Sequence, residues 1–184
     1  AGIGVVVAII AGVIIWAATR DSGSSSTTST VPGTGDGSAA PVSMPVKVTG
    51  TALPAFDSSA STDPAVGTAA PVLSAYDFNR QQVTIDSSKG AYMLVFLAHW
   101  CPHCNREVPE LNAWRDSGDV PADLQVIAVT TAVDPSRPNY PPSDWVKTMD
   151  WTWPVLADSE DYDAAQAFGV SGFPFGVIIG TDGK

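Results

Sequence analysis

The sequence predicts an α/β domain built on a central β-sheet, and two kinds of pattern support this prediction. Two continuous apolar runs, at residues 91–98 and 124–130, are typical of strands buried on both faces of a sheet. Segments with helical spacing or helix-capping residues follow each run. Because predicted strands alternate with predicted helices, we expect the helices to flank the sheet.

The elements before the first apolar run are weakly marked. Residues 45–56 alternate weakly between apolar and polar side chains and predict an early strand. Residues 57–71 are rich in Ser, Pro and Ala and predict a loop. Residues 83–85 have the β-branched composition of a short strand.

The first helix is predicted over residues 102–114, directly after the first apolar run. Pro102 suits the first helical position, where its missing N–H is not needed. Val108 and Leu111 fall on about one face of this helix. Pro109 lies inside the helix and is expected to kink it.

Four elements follow the second apolar run. A helix, a short strand, a helix and a final strand are predicted at residues 143–150, 153–158, 161–169 and 175–180. Ser143 is expected to cap the first of these helices, and Gly169 to close the second. The turn at Asp182–Gly183 predicts a hairpin, so we expect a further strand, and a helix after it, beyond Lys184.

The beginning of the chain predicts a membrane anchor. Residues 1–18 carry no charge, and as a helix they would span about 27 Å, close to the hydrocarbon core of about 30 Å. The alternative is a cleaved signal sequence, whose apolar region is shorter. Residues 19–44 are rich in Ser, Thr, Gly and Pro and predict a disordered linker. The folded domain is then predicted over residues 45–184.

The charge balance excludes one class of partner. The chain has nine Lys and Arg residues against 19 Asp and Glu, and its net charge is −10. Binding to a nucleic-acid backbone needs a basic patch, and the basic residues here are scattered singly. We therefore expect no nucleic-acid partner.

The only two cysteines of the chain, Cys101 and Cys104, lie two residues apart. Cys101 stands between a predicted buried strand and a helix N-terminus, where the helix dipole favours a thiolate. Cys104 falls on the same face of the first helical turn, at a Cα separation that allows a disulfide. A disulfide that closes so short a loop stabilises a fold weakly, which disfavours a purely structural role.

Two metal-related alternatives fit the residues poorly. A closed zinc site needs four ligands, whereas His99 and His103 are the only histidines and no second cysteine pair exists. Haem attachment needs a histidine directly after the second cysteine, where this chain has Asn105. Copper binding by the two thiols stays open. Redox chemistry fits best, because His103 between the sulfurs can stabilise a Cys101 thiolate and make the disulfide more oxidising.

The stretch "VFLAHWCPHCNREVPEL" resembles the active site of thioredoxin-fold proteins, especially the membrane-anchored TlpA-like thiol–disulfide oxidoreductases. That group shows a buried strand, Trp-Cys-x-x-Cys, and then Glu and Pro in the helix. The matching residues are Trp100, Cys101, Cys104, Glu107 and Pro109.

A second match is "GVSGFPF". In the family this run carries a cis-proline that faces the cysteines. Here the resemblance assigns that place to Pro174, preceded by Phe173.

The resemblance implies a thioredoxin-like fold, with a central mixed β-sheet flanked by helices, and a catalytic pair formed by Cys101 and Cys104. It also implies that protein thiols and disulfides are the substrates, and that a redox partner protein exists. Trp100, Phe173 and Pro174 are expected to bind substrate, with Phe175 adding to an apolar platform. The disulfide itself is the redox group, so no organic cofactor and no metal is expected.

Two departures from the family pattern bear on the chemistry. Thioredoxin has a buried Asp behind the cysteines, and the matching residue here is Val95, so water or Glu107 is expected to take the proton of Cys104. The dipeptide Pro102–His103 resembles the periplasmic oxidase DsbA. Pro102, His103 and Glu107 are expected to tune the pair, which we expect to be more oxidising than thioredoxin.

Anchor, linker and dithiol together predict a single-pass protein of the cell membrane with an extracytoplasmic catalytic domain. The alternatives are a dedicated TlpA-like reductase and a thioredoxin-fold module that binds copper or a partner without turnover.

Overall fold

The computed structural model describes residues 40–184. The predicted anchor at residues 1–18 and most of the predicted linker lie outside the described residues. Within residues 40–184, none of the helices has the length and apolar character needed to cross a membrane.

The described residues form seven strands, three α-helices and one short 3₁₀ helix. The strands are β1 (Lys47–Thr49), β2 (Val72–Tyr76), β3 (Gln82–Ile85), β4 (Ala91–Leu97), β5 (Leu124–Thr130), β6 (Val155–Ala157) and β7 (Phe175–Ile179). The helices are α1 (Pro102–Ser117), α2 (Pro142–Thr148) and α3 (Asp163–Ala167), and the 3₁₀ helix covers Ser87–Lys89.

All seven strands belong to one mixed sheet with the order β1-β2-β6-β5-β4-β7, and β3 pairs with β2. Strands β4, β5 and β6 run parallel to one another. Strand β7 is antiparallel to β4, and β2 is antiparallel to β6. Because β4, β5 and β6 are parallel, the loops after them meet at one edge of the sheet. The cysteine pair follows β4 at this edge.

The core lies on both faces of the sheet, as the continuous apolar run of β4 predicts. Leu94 and Phe96 pack in one buried cluster, to which α3 contributes. Val95 and Leu97 pack in a second buried cluster, with residues of α1 and α2. Since successive side chains of a strand point to opposite faces, the two clusters are the two faces of one sheet.

Helix α1 begins at Pro102 as predicted and runs through Pro109 to Ser117, three residues beyond the predicted end. It closes at Gly118, which has φ +78°. Gly169 follows α3 with φ +64°, and a Cβ there would collide with the backbone carbonyl of Pro54. The prediction that a glycine ends this helix is therefore confirmed.

The predicted cap of α2 is wrong. The residue at the N-cap is Pro141, and Ser143 lies inside the first turn with its hydroxyl buried and without a hydrogen-bond partner. The Tyr140–Pro141 peptide bond is cis, and Pro142 takes the first helical position. The proline pair therefore starts the helix in place of a side-chain cap.

Strand β2 was not predicted. It pairs with β1, β3 and β6, and its Leu73 and Ala75 are fully buried.

Candidate active site

Cys101 stands at the junction between the central strand β4 and helix α1. It is the N-cap residue of α1, and its N–H donates to the Ala98 carbonyl at 3.0 Å. Both cysteines are free thiols; Cys101 is 5% exposed and Cys104 is completely buried. Only Cys101 is therefore within reach of a partner molecule at the edge of the sheet.

The second sequence motif lies beside the first cysteine. The thiol of Cys101 donates to the carbonyl oxygen of Phe173 at 3.5 Å, across 72 residues of sequence. The Phe173–Pro174 peptide bond is cis, as the resemblance predicts. The two motifs thus meet at one point, and the Phe173 carbonyl lies next to the more accessible sulfur.

Cys104 is buried deeply enough to change the ionisation of its thiol. Burial raises the pKa of the Cys104 thiol to about 12, while a hydrogen bond with the Ala98 backbone acts in the opposite direction. Val95, at the position where thioredoxin has an Asp, packs in the same apolar cluster as both cysteines. Cys104 is accordingly a protonated thiol at neutral pH, and no carboxylate lies at position 95 to take its proton.

Trp100, which directly precedes Cys101, packs its ring against the ring of Phe173. Its ring lies edge to face with the Phe173 ring, at a centroid distance of 6.2 Å and an angle of 88°. Its indole N–H donates to the Ala132 carbonyl at 2.7 Å, and the guanidinium carbon of Arg137 lies 4.4 Å from its ring centroid. The ring is therefore held from three sides.

Phe175 does not pack with Trp100 and Phe173. It packs edge to face against Phe56 at 5.8 Å and belongs to the core cluster on the other face of the sheet. The predicted aromatic platform is thus limited to Trp100 and Phe173.

His103 is exposed and does not contact either sulfur by a hydrogen bond. Instead, Arg106 donates to its Nδ1 atom at 2.7 Å. Nδ1 is the acceptor in this hydrogen bond, because a guanidinium can only donate. Pro102 is also exposed, at the first position of α1.

Glu107 is exposed on α1 and, within residues 40–184, forms no hydrogen bond and no ion pair. The expected contact with Cys104 is therefore not formed, because the glutamate projects from the solvent side of the helix while Cys104 faces the core.

The sequence alone does not determine the role of His99, which the structure shows to be structural. It is 1% exposed; its Nδ1–H donates to the Pro138 carbonyl at 2.7 Å, and its Nε2 accepts from the Asp134 N–H at 3.2 Å. These two bonds fix the neutral tautomer and tie the loop after β5 to the segment before Cys101.

The hydrogen-bonding role of Asn105 was not predicted from the sequence. Its amide donates to the carbonyls of Cys101 and His99, at 2.8 and 3.3 Å. Its oxygen accepts from the indole N–H of Trp145, at 2.9 Å. The sequence shows an amide directly after Cys-x-x-Cys. It does not show that this amide accepts from Trp145, because the two residues are 40 positions apart.

Comparison with known proteins agrees with this geometry. The model of the AhpC/TSA family matches residues 66–184. No curated protein sequence matches the chain.

Several solved structures share its fold. The thioredoxin domain of a thiol–disulfide oxidoreductase from Bacteroides vulgatus is 19% identical, with a TM-score of 0.52 over 64% of this chain and 83% of that one. A thiol–disulfide oxidoreductase from Bacteroides fragilis is 15% identical, with a TM-score of 0.54 over 64% and 86%. A Bacteroides thetaiotaomicron protein proposed to be a protein disulfide isomerase is 26% identical, with a TM-score of 0.52 over 64% and 74%.

The fold and the site define a class: an α/β domain of the thioredoxin type with two free thiols at the start of the first helix, of which the first is slightly exposed and the second completely buried. Within that class the chain belongs to the AhpC/TSA family, and it shares the thioredoxin fold of the thiol–disulfide oxidoreductases that it resembles.

Proposed function

We propose that this protein is a TlpA-like oxidoreductase that exchanges disulfides with protein substrates through Cys101 and Cys104. One observation carries the proposal: the Cys101 sulfur lies beside the Phe173 carbonyl at a cis-proline, and Cys101 keeps a small exposed fraction while Cys104 is completely buried. This arrangement separates an attacking thiol from a resolving thiol.

In the reducing direction, the Cys101 thiolate attacks one sulfur of a substrate disulfide. A mixed disulfide forms, and the other substrate sulfur leaves as a thiolate that takes a proton. Cys104 then loses its proton and attacks the Cys101 sulfur, which releases the second substrate thiol and leaves a Cys101–Cys104 disulfide. Two electrons pass to the substrate, and the oxidising direction is the reverse. Because Glu107 forms no contact with Cys104, we assign the proton acceptor in the resolving step to water.

The substrate segment is proposed to lie in an extended conformation along Phe173 and Pro174. The carbonyl of Phe173 can accept a hydrogen bond from the backbone of such a segment, as in the addition of a β-strand. The Trp100 ring, which packs against the Phe173 ring, provides an apolar surface for the same segment. We propose that these contacts hold the substrate disulfide beside the Cys101 sulfur.

The direction of electron flow is proposed to lie on the oxidising side of thioredoxin. The helix N-terminus acts directly on the Cys101 sulfur, and Val95 places no negative charge behind the pair. Pro102 and His103 are the proposed tuning residues, as in the DsbA dipeptide that they resemble. Because a stabilised thiolate stabilises the reduced form, these features raise the reduction potential.

The uncharged segment at residues 1–18 supports a membrane tether, and residues 19–44 support a linker that holds the catalytic domain outside the cytoplasmic membrane. A redox partner protein would then restore the pair after each turnover. A cysteine placed among residues 22–30 of a chain with both native cysteines changed to Ser tests this location. Labelling by a membrane-impermeant reagent in intact cells is expected, and labelling only after lysis would contradict it.

The exchange itself is tested with the reduced full chain and a disulfide-bonded model peptide. We expect the peptide to become a dithiol while Cys101 and Cys104 form a disulfide, with one disulfide lost and one gained. Mass spectrometry after acid quenching reads both products. No exchange, together with tight copper(I) binding by the two thiols, would identify a binding module instead.

A further inference from the structure

Arg137 lies in the loop between β5 and α2, with its guanidinium on the active-site tryptophan. The guanidinium carbon is 4.4 Å from the centroid of the Trp100 ring, a distance at which the negative face of an indole attracts a cation. Trp100 directly precedes Cys101. A positive charge is therefore held one side chain away from the reactive sulfur.

The loop that carries this arginine is fastened to the segment before Cys101 at three points. Ala132 accepts the indole N–H of Trp100 at 2.7 Å. Pro138 accepts from one nitrogen of His99 at 2.7 Å, and the N–H of Asp134 donates to the other at 3.2 Å. The backbone on both sides of the arginine is thus fixed against the active site.

Among residues 40–184, the guanidinium makes no hydrogen bond and no ion pair, although its charge attracts the nearby Asp134 carboxylate. Arg137 is exposed, and its backbone N–H donates to the Asp134 carbonyl at 3.1 Å. The neighbouring carboxylate, Asp134, accepts instead from the N–H and hydroxyl of Ser136, at 2.9 and 2.7 Å. By contrast, Arg115 binds Asp116 at 2.8 Å. The N–H donors of Arg137 thus remain available to a molecule that approaches Cys101.

The position of this charge is unusual for so acidic a chain. The net charge is −10, with nine basic residues, yet Arg106 and Arg137 both lie close to the Cys101 region. The acidic residues nearby are Glu107 and Asp134. At physiological salt, charges that lie farther than about 8 Å from the substrate are largely screened. The charged groups in direct contact with the substrate therefore decide whether a negative or a positive substrate is favoured.

We propose that Arg137 is a specificity-determining residue that binds a carboxylate of the substrate next to its reactive disulfide. The favoured partner is a protein segment with Asp or Glu beside the cysteine that Cys101 attacks. The planar guanidinium can hold a carboxylate by two parallel hydrogen bonds, and stacking on Trp100 orients it before the substrate arrives. This inference rests on the proposed function, since it names the substrate class of the same site.

The test uses three disulfide-bonded peptides that differ only in the residue beside the attacked cysteine: Glu, Gln or Lys. The reduced full chain converts each peptide to its dithiol while Cys101 and Cys104 become a disulfide. We expect the Glu peptide to react about fivefold faster than the Gln peptide at low salt, the scale of one exposed ion pair. The Lys peptide is expected to be slowest. At about 1 M salt the preference should fall towards one.

Variants separate charge recognition from a structural role. Arg137→Gln is expected to bring the Glu-to-Gln rate ratio close to one, and Arg137→Lys to keep part of it, because the charge remains while the planar fork is lost. A general loss of structure lowers both rates and leaves their ratio unchanged. Lys89→Gln is the matched control: this exposed lysine precedes β4, about 23 Å from the end of the strand that leads to Cys101. The control should keep the wild-type ratio.

Equal rates for the Glu and Gln peptides in the wild type would overturn this inference, as would a preference that survives in Arg137→Gln. Either result would leave disulfide exchange itself intact. No exchange with any of the three peptides would contradict the proposed function, and the inference would be rejected with it.

Discussion

The Cys101 sulfur and the Phe173 carbonyl oxygen lie 3.5 Å apart, although 72 residues separate them in sequence. This contact joins the two motifs that the sequence singles out. It places the Phe173 carbonyl, the acceptor that we propose for a substrate backbone, beside the sulfur of the less buried cysteine. The roles proposed for the two cysteines follow from this asymmetry.

The first prediction concerns the ionisation of Cys104. Burial raises its pKa to about 12 from an ordinary value of 9.0, so the thiol should stay protonated until the pH lies far above neutral. In Cys101→Ser, where Cys104 is the only thiol, we expect little thiolate absorbance at 240 nm below about pH 10. In the urea-unfolded variant the same thiol should titrate near its ordinary value. A native titration midpoint near 9 would show that Cys104 is solvated.

The second prediction concerns the tuning of the redox pair. His103→Pro should lower the reduction potential by about 30 mV or more, because the residue between the sulfurs no longer stabilises the reduced form. Equilibration of the dithiol with glutathione buffers measures the shift. An unchanged potential would mean that His103, which the structure places against Arg106, has no influence on the pair. A wild-type potential at or below that of thioredoxin would identify a dedicated reductase.

The third prediction concerns the amide that follows the cysteines. Asn105→Ala should lower the free energy of unfolding by about 1–3 kcal/mol, because the indole N–H of Trp145 loses its acceptor in a partly buried site. The carbonyls of Cys101 and His99 each lose one hydrogen bond but keep another donor. Urea denaturation provides the measurement. Asn79→Ala removes an amide of an exposed turn and is expected to change stability by less than about 0.5 kcal/mol. Equal effects of the two variants would contradict the structural role of Asn105.

The fourth prediction distinguishes the two accounts of Ser143. As an N-cap, its replacement by Ala would cost about 0.5–2 kcal/mol. In the structure its hydroxyl is buried without a partner, so Ser143→Ala should leave stability unchanged or increase it. A thermal midpoint below that of the wild type would contradict the observed position of this hydroxyl.

The sequence predicted those parts of the fold whose signals are local. The apolar runs of β4 and β5 are long and uninterrupted, and Pro102 marks the beginning of α1. Strand β2 carries no such signal: it is only five residues long, and its Leu73 and Ala75 are buried by packing in a core cluster with residues from other elements.

The candidate site also contains features that could be predicted from local motifs and contacts that could not. Cys101, Cys104 and the cis bond before Pro174 could be predicted because they form fixed motifs. The hydrogen bond from Trp145 to Asn105 and the stacking of Arg137 on Trp100 depend on how distant segments pack. No spacing in the sequence contains that information, so these contacts could not be predicted.

The central claim is that Cys101 attacks and Cys104 resolves, and trapping of mixed disulfides tests it most directly. The matched variants Cys104→Ser and Cys101→Ser are each incubated with disulfide-bonded proteins, quenched with acid and alkylated, and then separated on a non-reducing gel. We expect Cys104→Ser to accumulate mixed disulfides that a reductant releases, because the resolving thiol is absent, and Cys101→Ser to accumulate none. Mixed disulfides formed by Cys101→Ser but not by Cys104→Ser would contradict the assignment of the nucleophile.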